Sequence, residues 1–549
     1  MAELSKVGAT LSKREIASKT SFARIYYWHW ERQNFGVASN VRDEHKDAYE
    51  TREGWIETPI LSVKISKSVD RPSASFEISL MPTENWKQVL SPGDWIAIYL
   101  YSSSQSPVGT YHMPKQKNLV LFGNIDRVSR TLSKNEDTDK TELRYRVSGR
   151  NFGKVFEETD LWFDPYINQQ QVLDVVVRTA GLEIIGSPTE QVEKVLKVFL
   201  GSGAQFDKQK TSPLDQWRMP LGCLELFGTP ADGSVRRYFD SILNKEIEPD
   251  LPGFKVRGML SLGDNANLWE NLKNCSNDLV NSLIVDEYRD EAGNAKPTIS
   301  LHPRPYNTPF FDVGKDKTSQ FGKEKDKILP ILNNKYQSLQ DLGKNGIEIS
   351  QSEIIYEDLG RDDHSRLNMF LLVSNNAMDY TKSIYSNLLT TKEGIGNPFF
   401  SRESITRHGL RRFQKLIEFD KPFKNLAAYS QIDLFKAFMV QTYDMNYANH
   451  LYDNGTIECT GVLHAQLGKA LVVLPTKENG KKKVYYIEGY EHTWTFPGTW
   501  RTIFTVTHGQ FFRPKDGNIF IDLSDRDFGS DDDELPPVYL AQTKVTKDG

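Results

Sequence analysis

The sequence predicts an α+β chain, mainly β, built on two related small antiparallel β-barrels with an α+β insertion domain and a helical insertion. Three observations carry that prediction. Residues 58–149 and 455–507 are rich in short runs that alternate apolar and polar residues, the period-2 pattern of half-buried strands. Between them, from about Gln169, the apolar spacing shifts to the helical period. The two strand-rich stretches also repeat one order of features, although their residues are barely alike.

Taken in order, residues 1–54 are polar and read as an N-terminal arm with some ordered pieces, since Tyr26, Tyr27, Trp28 and Trp30 need burial or a partner. The first barrel spans 55–157. Its strands are Ile60–Lys67, Ala74–Leu80, Trp95–Leu100, Leu119–Val128 and Leu143–Gly149, with turn chemistry at Ser91-Pro92-Gly93-Asp94. The middle domain, 158–310, holds helical stretches near Val172–Ala180, Val192–Phe199, Tyr238–Leu243 and Leu268–Leu283. A hairpin of Leu283–Tyr288 with Pro297–Leu301 closes it. A Lys-rich connector occupies 311–345.

The second barrel takes 346–375 and 455–515, including Ile349–Ile355, Leu367–Val373, Gly455–Leu463, Ala470–Leu474, Lys483–Glu488, His492–Phe496 and Thr502–Thr507. Residues 376–454 form the helical insertion, with Leu434, Phe435, Phe438, Met439 and Met445 on one face. The tail, 516–549, carries the acidic run Asp531–Glu534. Such a run is ordinarily a solvated segment, but Leu535, Pro536, Pro537, Val538 and Tyr539 after it are candidates for docking a partner.

Composition narrows the class. The 549 residues allow three to five domains at roughly 100–200 residues each. With 68 Lys+Arg against 73 Asp+Glu the net charge is -5, which argues against a basic nucleic-acid binder. A hydrophobic share of 38% supports several packed cores. The three cysteines, Cys223, Cys275 and Cys459, are scattered and form no C-x-x-C pair, so neither a disulfide scaffold nor a zinc cluster is expected. The first 25 residues lack the apolar core of a signal peptide, and no run reaches the about 20 apolar residues of a membrane span. Synthesis in a cytoplasm, without a membrane anchor, is the expectation.

Catalytic and cofactor motifs are not found. The chain has no phosphate-cradling G-x-x-x-x-G-K-[ST], no H-E-x-x-H and no G-x-S-x-G. The acidic stretch Asp525 to Asp533 fails as a calcium loop, because Gly is missing at its sixth position and Pro536 stands where a bidentate Glu belongs. Glu157, Glu158 and Asp160 have the carboxylate chemistry of a glycosidase pair, but acidic residues at a domain junction are commoner. The aromatic run Tyr26-Tyr27-Trp28-His29-Trp30 suits base stacking, although without a basic patch a subunit contact is the better expectation. No catalytic, cofactor or metal residue is therefore assigned.

The repeat is the most informative feature. In the first stretch, Gly93-Asp94 precedes strand Trp95–Leu100, Phe122-Gly123-Asn124-Ile125-Asp126-Arg127 follows, and Thr141–Gly149 ends the series. In the second, Gly468-Lys469 precedes Ala470–Leu474, Ile487-Glu488-Gly489-Tyr490-Glu491-His492 follows, and Trp500–Gly509 ends it. Gly123 and Gly489 inside strands mark a bulge or a close backbone approach. His492 on its strand reads as a hydrogen-bonded structural histidine.

The run Y-Y-I-E-G-Y-E-H-T-W-T-F-P-G-T-W-R-T-I-F-T-V-T-H-G resembles the closing barrel of phage baseplate (tail) central hub proteins, the tube-to-spike adaptors. Gly489, His492, Trp494, Gly498, Thr502, Val506 and Gly509 fall on that pattern, and His508 stands where Arg is commoner. The run F-G-x-I-D-R-V…Y-R-V-S-G-R-N-F-G, with Gly123 and Gly149, is similar to their opening barrel. Leu268-Trp269 through Leu301–Tyr306 looks like their middle domain. The resemblance covers roughly 58–510. It implies two tube-like barrels per chain and a homotrimer whose six barrels form a pseudo-sixfold ring around a channel. It also implies that DNA passes through that channel without specific binding. The implied partners are a tail tube protein, a spike protein, a tape-measure protein and baseplate wedge or other hub proteins, at the virion tail. The alternatives are a tail-associated peptidoglycan hydrolase and a type VI secretion-like spike hub.

Overall fold

The computed structural model describes residues 21–32, 49–56, 60–102, 117–135, 140–159, 184–186, 256–258, 267–276, 281–289, 293–305, 345–374, 399–400, 402–417, 449–475 and 482–512, with the single positions 192, 226, 343 and 446. The described chain is mainly β, with few helices and mostly antiparallel pairing.

Its strands, in chain order, are β1 (Ser21–Arg32), β2 (Tyr49–Ile56), β3 (Ile60–Ser68), β4 (Ser75–Leu80), β5 (Trp95–Ser102), β6 (Leu119–Asn135), β7 (Lys140–Asn151), β8 (Ile184–Gly186), β9 (Val256–Gly258), β10 (Asn281–Arg289) and β11 (Ala295–Pro303). They continue with β12 (Ile347–Ser350), β13 (Ile354–Gly360), β14 (Met369–Ser374), β15 (Phe399–Phe400), β16 (Arg412–Ile417), β17 (Asp453–Thr460), β18 (Ala470–Leu474), β19 (Lys482–Thr495) and β20 (Thr499–Phe512). The helices are α1 (Trp86–Val89), α2 (Lys154–Glu158), α3 (Leu268–Ser276) and α4 (Arg402–His408).

Thirteen strands form one sheet with the open order β13-β17-β20-β19-β3-β4-β7-β6-β5-β1-β2, with β18 beside β19 and β12 beside β18. The path contains the same five-strand order twice. β3-β4-β7-β6-β5 and β13-β17-β20-β19-β18 are each antiparallel throughout. Two of the irregularities repeat as well. The first strand of each unit carries an extra residue, Leu61 between Ile60 and Ser62 and Ile355 between Ile354 and Tyr356. The long hairpin carries another, Asp126 between Ile125 and Arg127 and Glu488 between Ile487 and Gly489. In both units the neighbouring strand begins two residues before that second bulge, Trp95 opposite Asn124 and Ala470 opposite Tyr486.

One detail of the expected repeat changes. The repeat of order holds, but the glycines that pointed to it are not equivalent. Gly123 precedes the bulge at Asp126, whereas Gly489 follows the bulge at Glu488. Gly149 pairs with Ile125, whose counterpart Ile487 pairs with Val506 and not with Gly509. Each glycine answers a local steric demand, and those demands differ between the units.

Hydrogen bonds among the described residues close neither unit into a barrel, because the free edge of β3 is taken by β19 of the other unit. The first unit still curls around one core. Ile25 of β1, Ile65 of β3, Ile78 of β4, Ile98 of β5 and Val147 of β7 meet there, together with Trp494 and Trp500 from the tip of the β19–β20 hairpin. The second unit packs Ile349, Ile457, Leu471, Ile487, Phe504 and Val506. A third core lies on the other face of β1, β5 and β6, where Trp28, Trp95, Tyr99 and Phe122 pack on α2, α3 and the β10–β11 hairpin.

Three further expectations change. The aromatic run of the arm belongs to β1, and Tyr26, Tyr27 and Trp28 are buried in these cores, so they are not a subunit contact. β1 pairs with β5 and extends the first unit, which supplies the burial those rings need. The stretch read as one strand, Ile349–Ile355, is two strands, β12 and β13, broken by a turn of 3-10 helix at Gln351–Glu353 that Ser350 caps. β14, assigned to the second barrel, instead pairs in parallel with β16 and antiparallel with β15 in a small separate sheet. The helical stretches near 172–180, 192–199 and 238–243, the face from Leu434 to Met445 of the helical insertion, and the tail with Leu535–Tyr539 lie outside the described residues, apart from the single position 192.

Candidate functional site

Among the described residues, buried charges gather at the seam where the two units meet. β19 is long enough to serve two neighbours on one edge. Its first half, Lys483–Tyr486, pairs with β18, and after the bulge at Glu488 its second half, Gly489–Thr495, pairs with β3. A bulge bends and twists a strand, so the bend falls where the strand leaves its own unit. A Cβ on Gly489 would stand 3.1 Å from the Lys67 carbonyl oxygen, which is tight contact.

The hairpin tip fastens the far end of the seam. Phe496 N donates to the Leu61 carbonyl at 2.9 Å, and the Trp494 indole N–H donates to the Ser21 carbonyl at 3.2 Å. Ser21 in turn donates to the Gly498 carbonyl from its backbone N at 2.9 Å and its Oγ at 2.7 Å. Gly498 has φ +141° and its pro-Cβ direction points at Ser21, 2.7 Å from its carbonyl oxygen, so any side chain there is strained and crowded.

Lys67 sits at the centre. Strand phase places Val63, Ile65 and Lys67 on the same buried face, and Lys67 is only 3% exposed. Its Nζ donates to Asp286 Oδ1 at 2.7 Å, to the Val120 carbonyl at 2.9 Å and to Glu287. Asp286 also accepts from the Tyr490 hydroxyl at 3.1 Å and from Leu467 N at 3.0 Å, and Glu287 accepts from Phe122 N at 2.9 Å. Arg289, from the same strand β10, donates to the Leu119 carbonyl at 2.6 Å. The cluster thus ties β3, β6, β10, β19 and the loop before β18 to one point.

Burial works against the Lys67 ammonium, but the carboxylates of Asp286 and Glu287 overcome it and hold it well above its usual value. Burial also opposes ionisation of Asp286, and Lys67 with two backbone N–H donors brings it below the usual carboxylate range. Glu287 is held above that range by burial, against the pull of Lys67. His492, 1% exposed, is pushed down to about 3 by burial and by the Lys67 and Arg289 charges. Its Nδ1 is hydrogen-bonded to Thr502 Oγ1 at 2.9 Å, and that oxygen accepts from Val462 N at 2.9 Å. His492 is thus a buried, hydrogen-bonded histidine on β19.

The remaining glycine candidates lie in these two long hairpins at positions with no room for a side chain. A Cβ on Gly149 would come within 2.5 Å of the Phe76 ring and closer still to the Asn124 carbonyl. One on Gly123 would stand 2.9 Å from Asn151 Cα, and one on Gly509 2.5 Å from the Tyr485 ring. Glu157 and Glu158 are both bound by Arg150, which also holds Asp126 at 2.9 Å, so they are an ionic cluster at the first unit's bulge. Cys459 is buried, its thiol pushed up to about 12 by burial and by nearby Glu353 and Glu458. Among the described residues no group of three or more His, Cys, Asp or Glu side chains is arranged to hold a metal ion.

Sequence reasoning missed Lys67, Asp286 and Glu287. Two signals were present: Lys67 continues the inward phase of Val63 and Ile65, and Asp286-Glu287 interrupts the apolar run Leu283-Ile284-Val285. A charge in phase with core residues needs a buried partner of opposite sign.

No protein-family model and no curated protein matches this chain. Among solved structures, similarity is found to the tail protein from Neisseria meningitidis MC58, at 10% identity and TM-score 0.41 over 89% of this chain and 96% of that chain. It is also found to the 43 kDa tail protein of prophage MuSo2 from Shewanella oneidensis, at 9% identity and TM-score 0.39 over 88% and 98%. A third is the E. coli c3393 protein, a type VI secretion system component described as similar to T4 bacteriophage tail proteins gp27 and gp5, at 8% identity and TM-score 0.30 over 84% and 76%.

Proposed function

We propose that this chain is the central structural hub of a phage tail baseplate or a related contractile injection system. Three copies would form a ring of six similar units that joins the tail tube to a central spike and surrounds the channel for DNA. One observation carries the reading: a single chain holds two five-strand units of the same order and the same two bulges, joined edge to edge by β3 and β19. Head-to-tail contacts close into rings when their rotation permits. A chain that already contains one such contact supplies six near-equivalent positions from three copies, which reconciles a threefold spike with a sixfold tube.

The reading is structural and not catalytic. The buried charges at the seam are each spent on a partner, and their task is to fix the angle between the units. The tube, spike and tape-measure proteins are the partners this role requires. Mass measurement in solution tests it: a trimer is expected, alone or with the spike protein present. Monomers only, under both conditions, overturn it. Clearing of a peptidoglycan suspension by the purified chain would overturn the non-enzymatic part.

A further inference from the structure

The alignment of the two units exposes an unused half of the seam. In the second unit the edge of β19 beyond its bulge is covered by β3. The corresponding edge of the first unit is β6 beyond Asp126, and among the described residues that stretch pairs on one side only, with β7. The strand equivalent to β3 is β13, at the end of the sheet, and among the described residues it pairs only with β17. One molecule therefore carries both halves of a second seam, at places that its own chain does not join.

We infer that β13 of one copy adds to the outer edge of β6 in the next copy, repeating the β3–β19 pairing between molecules. This deepens the ring reading above and rests on it. The register follows from the observed seam. Tyr490 pairs with Lys67 and Thr493 with Lys64. Aligned through the bulges, Val128 takes the place of Tyr490 and Arg361 that of Lys67, while Thr131 takes the place of Thr493 and Asp358 that of Lys64. Arg127 then lies opposite Asp362, and Leu132 opposite Glu357.

Side chains on both edges suit a partner of this kind. Leu132 is 65% exposed at the position where Trp494 is 5% exposed and packed in the neighbouring unit's core. Ile355 and Tyr356 on β13 are 49% and 58% exposed. Exposed apolar residues along an open strand edge are an aggregation hazard unless the edge is used. The charges are complementary: β6 offers Arg127 and Arg130, while β13 and the residue pair after it offer Glu357, Asp358 and Asp362 against one Arg361. In the proposed register Arg130 is diagonal to Glu357, within the reach of cross-strand pairs.

The test uses the full chain with Thr131→Cys and Asp358→Cys combined. Mild oxidation is expected to yield disulfide-linked dimers and trimers on a non-reducing gel, absent from either single variant and from the parent chain. Arg127→Glu is expected to weaken self-association roughly tenfold, and adding Asp362→Arg is expected to restore it. If the chain assembles normally but the cysteine pair stays unlinked and Arg127→Glu has no effect, the seam is overturned while the ring reading stands. Linkage instead by Thr131→Cys with Gly360→Cys overturns the register. A chain that remains monomeric at every concentration, with spike protein or without, overturns both.

Discussion

Replacing Lys67 by Met removes the one cation that three elements share. Lys67 is nearly isosteric with Met along its stem, so the packing of β3 against β10 and β19 changes little. The loss is electrostatic. Asp286 and Glu287, both under 10% exposed, lose their partner, and the Val120 carbonyl loses its 2.9 Å donor. Breaking a buried ion pair by removing one side costs about 3–5 kcal/mol, because the remaining charge stays buried. Two carboxylates share this cation, but Glu287 already sits above the usual carboxylate range and takes up a proton readily. The expected cost is thus about 4 kcal/mol and not twice that. Urea unfolding followed by tryptophan fluorescence reads it, since Trp494 and Trp500 lie at the far end of the same seam. At a slope near 3 kcal/mol per molar the midpoint falls by about 1 M. Adding Asp286→Asn and Glu287→Gln to Lys67→Met is expected to recover most of that loss, because no bare charge is then left. A Lys67→Met midpoint within 0.2 M or so of the parent, or a triple variant no better than the single, refutes the account of an obligatory charge lock.

Two further expectations follow from the same geometry. Gly149→Ala drives a Cβ into the Phe76 ring and the Asn124 carbonyl and is expected to cost about 3 kcal/mol, whereas Gly93→Ala, at φ +96° with no atom within 4 Å, costs only the roughly 1 kcal/mol of a left-handed backbone; comparable midpoints in thermal denaturation would contradict this. His492 is held neutral, with its folded value of about 3 below the usual 6.5. Its contribution is therefore complete above pH 6.5 and is lost as pH falls toward 3, at about 1.4 kcal/mol per pH unit. Between pH 6.5 and 5 the parent is expected to lose about 2 kcal/mol that His492→Gln does not lose, and equal acid slopes for the two proteins would count against a buried neutral ring.

Much of the fold is legible in the residues because strand phase is a local property. Val63 and Ile65 alternate with Ser62 and Lys64, and Ala470–Leu474 is a strand with the boundaries its apolar run implies. The seam was not legible, for a physical reason. Pairing of β3 with β19 joins residues more than 400 positions apart, and a free strand edge carries no mark of which edge will meet it. The aromatic run of β1 shows the same limit: its need for burial is plain in Tyr26, Tyr27 and Trp28, but not whether a subunit or the chain itself supplies it.

What the sequence determined by itself is local: a mainly β chain, two stretches that share one layout of features, and a net charge of -5. Periodicity, turn residues and composition act over a few residues and need no partner to be read. The tertiary structure alone decided that the two units share one open sheet, that β19 carries a bulge at Glu488, and that Lys67, Asp286 and Glu287 meet. Those are long-range choices, set by which edges and buried charges come within a few ångströms once the cores have packed.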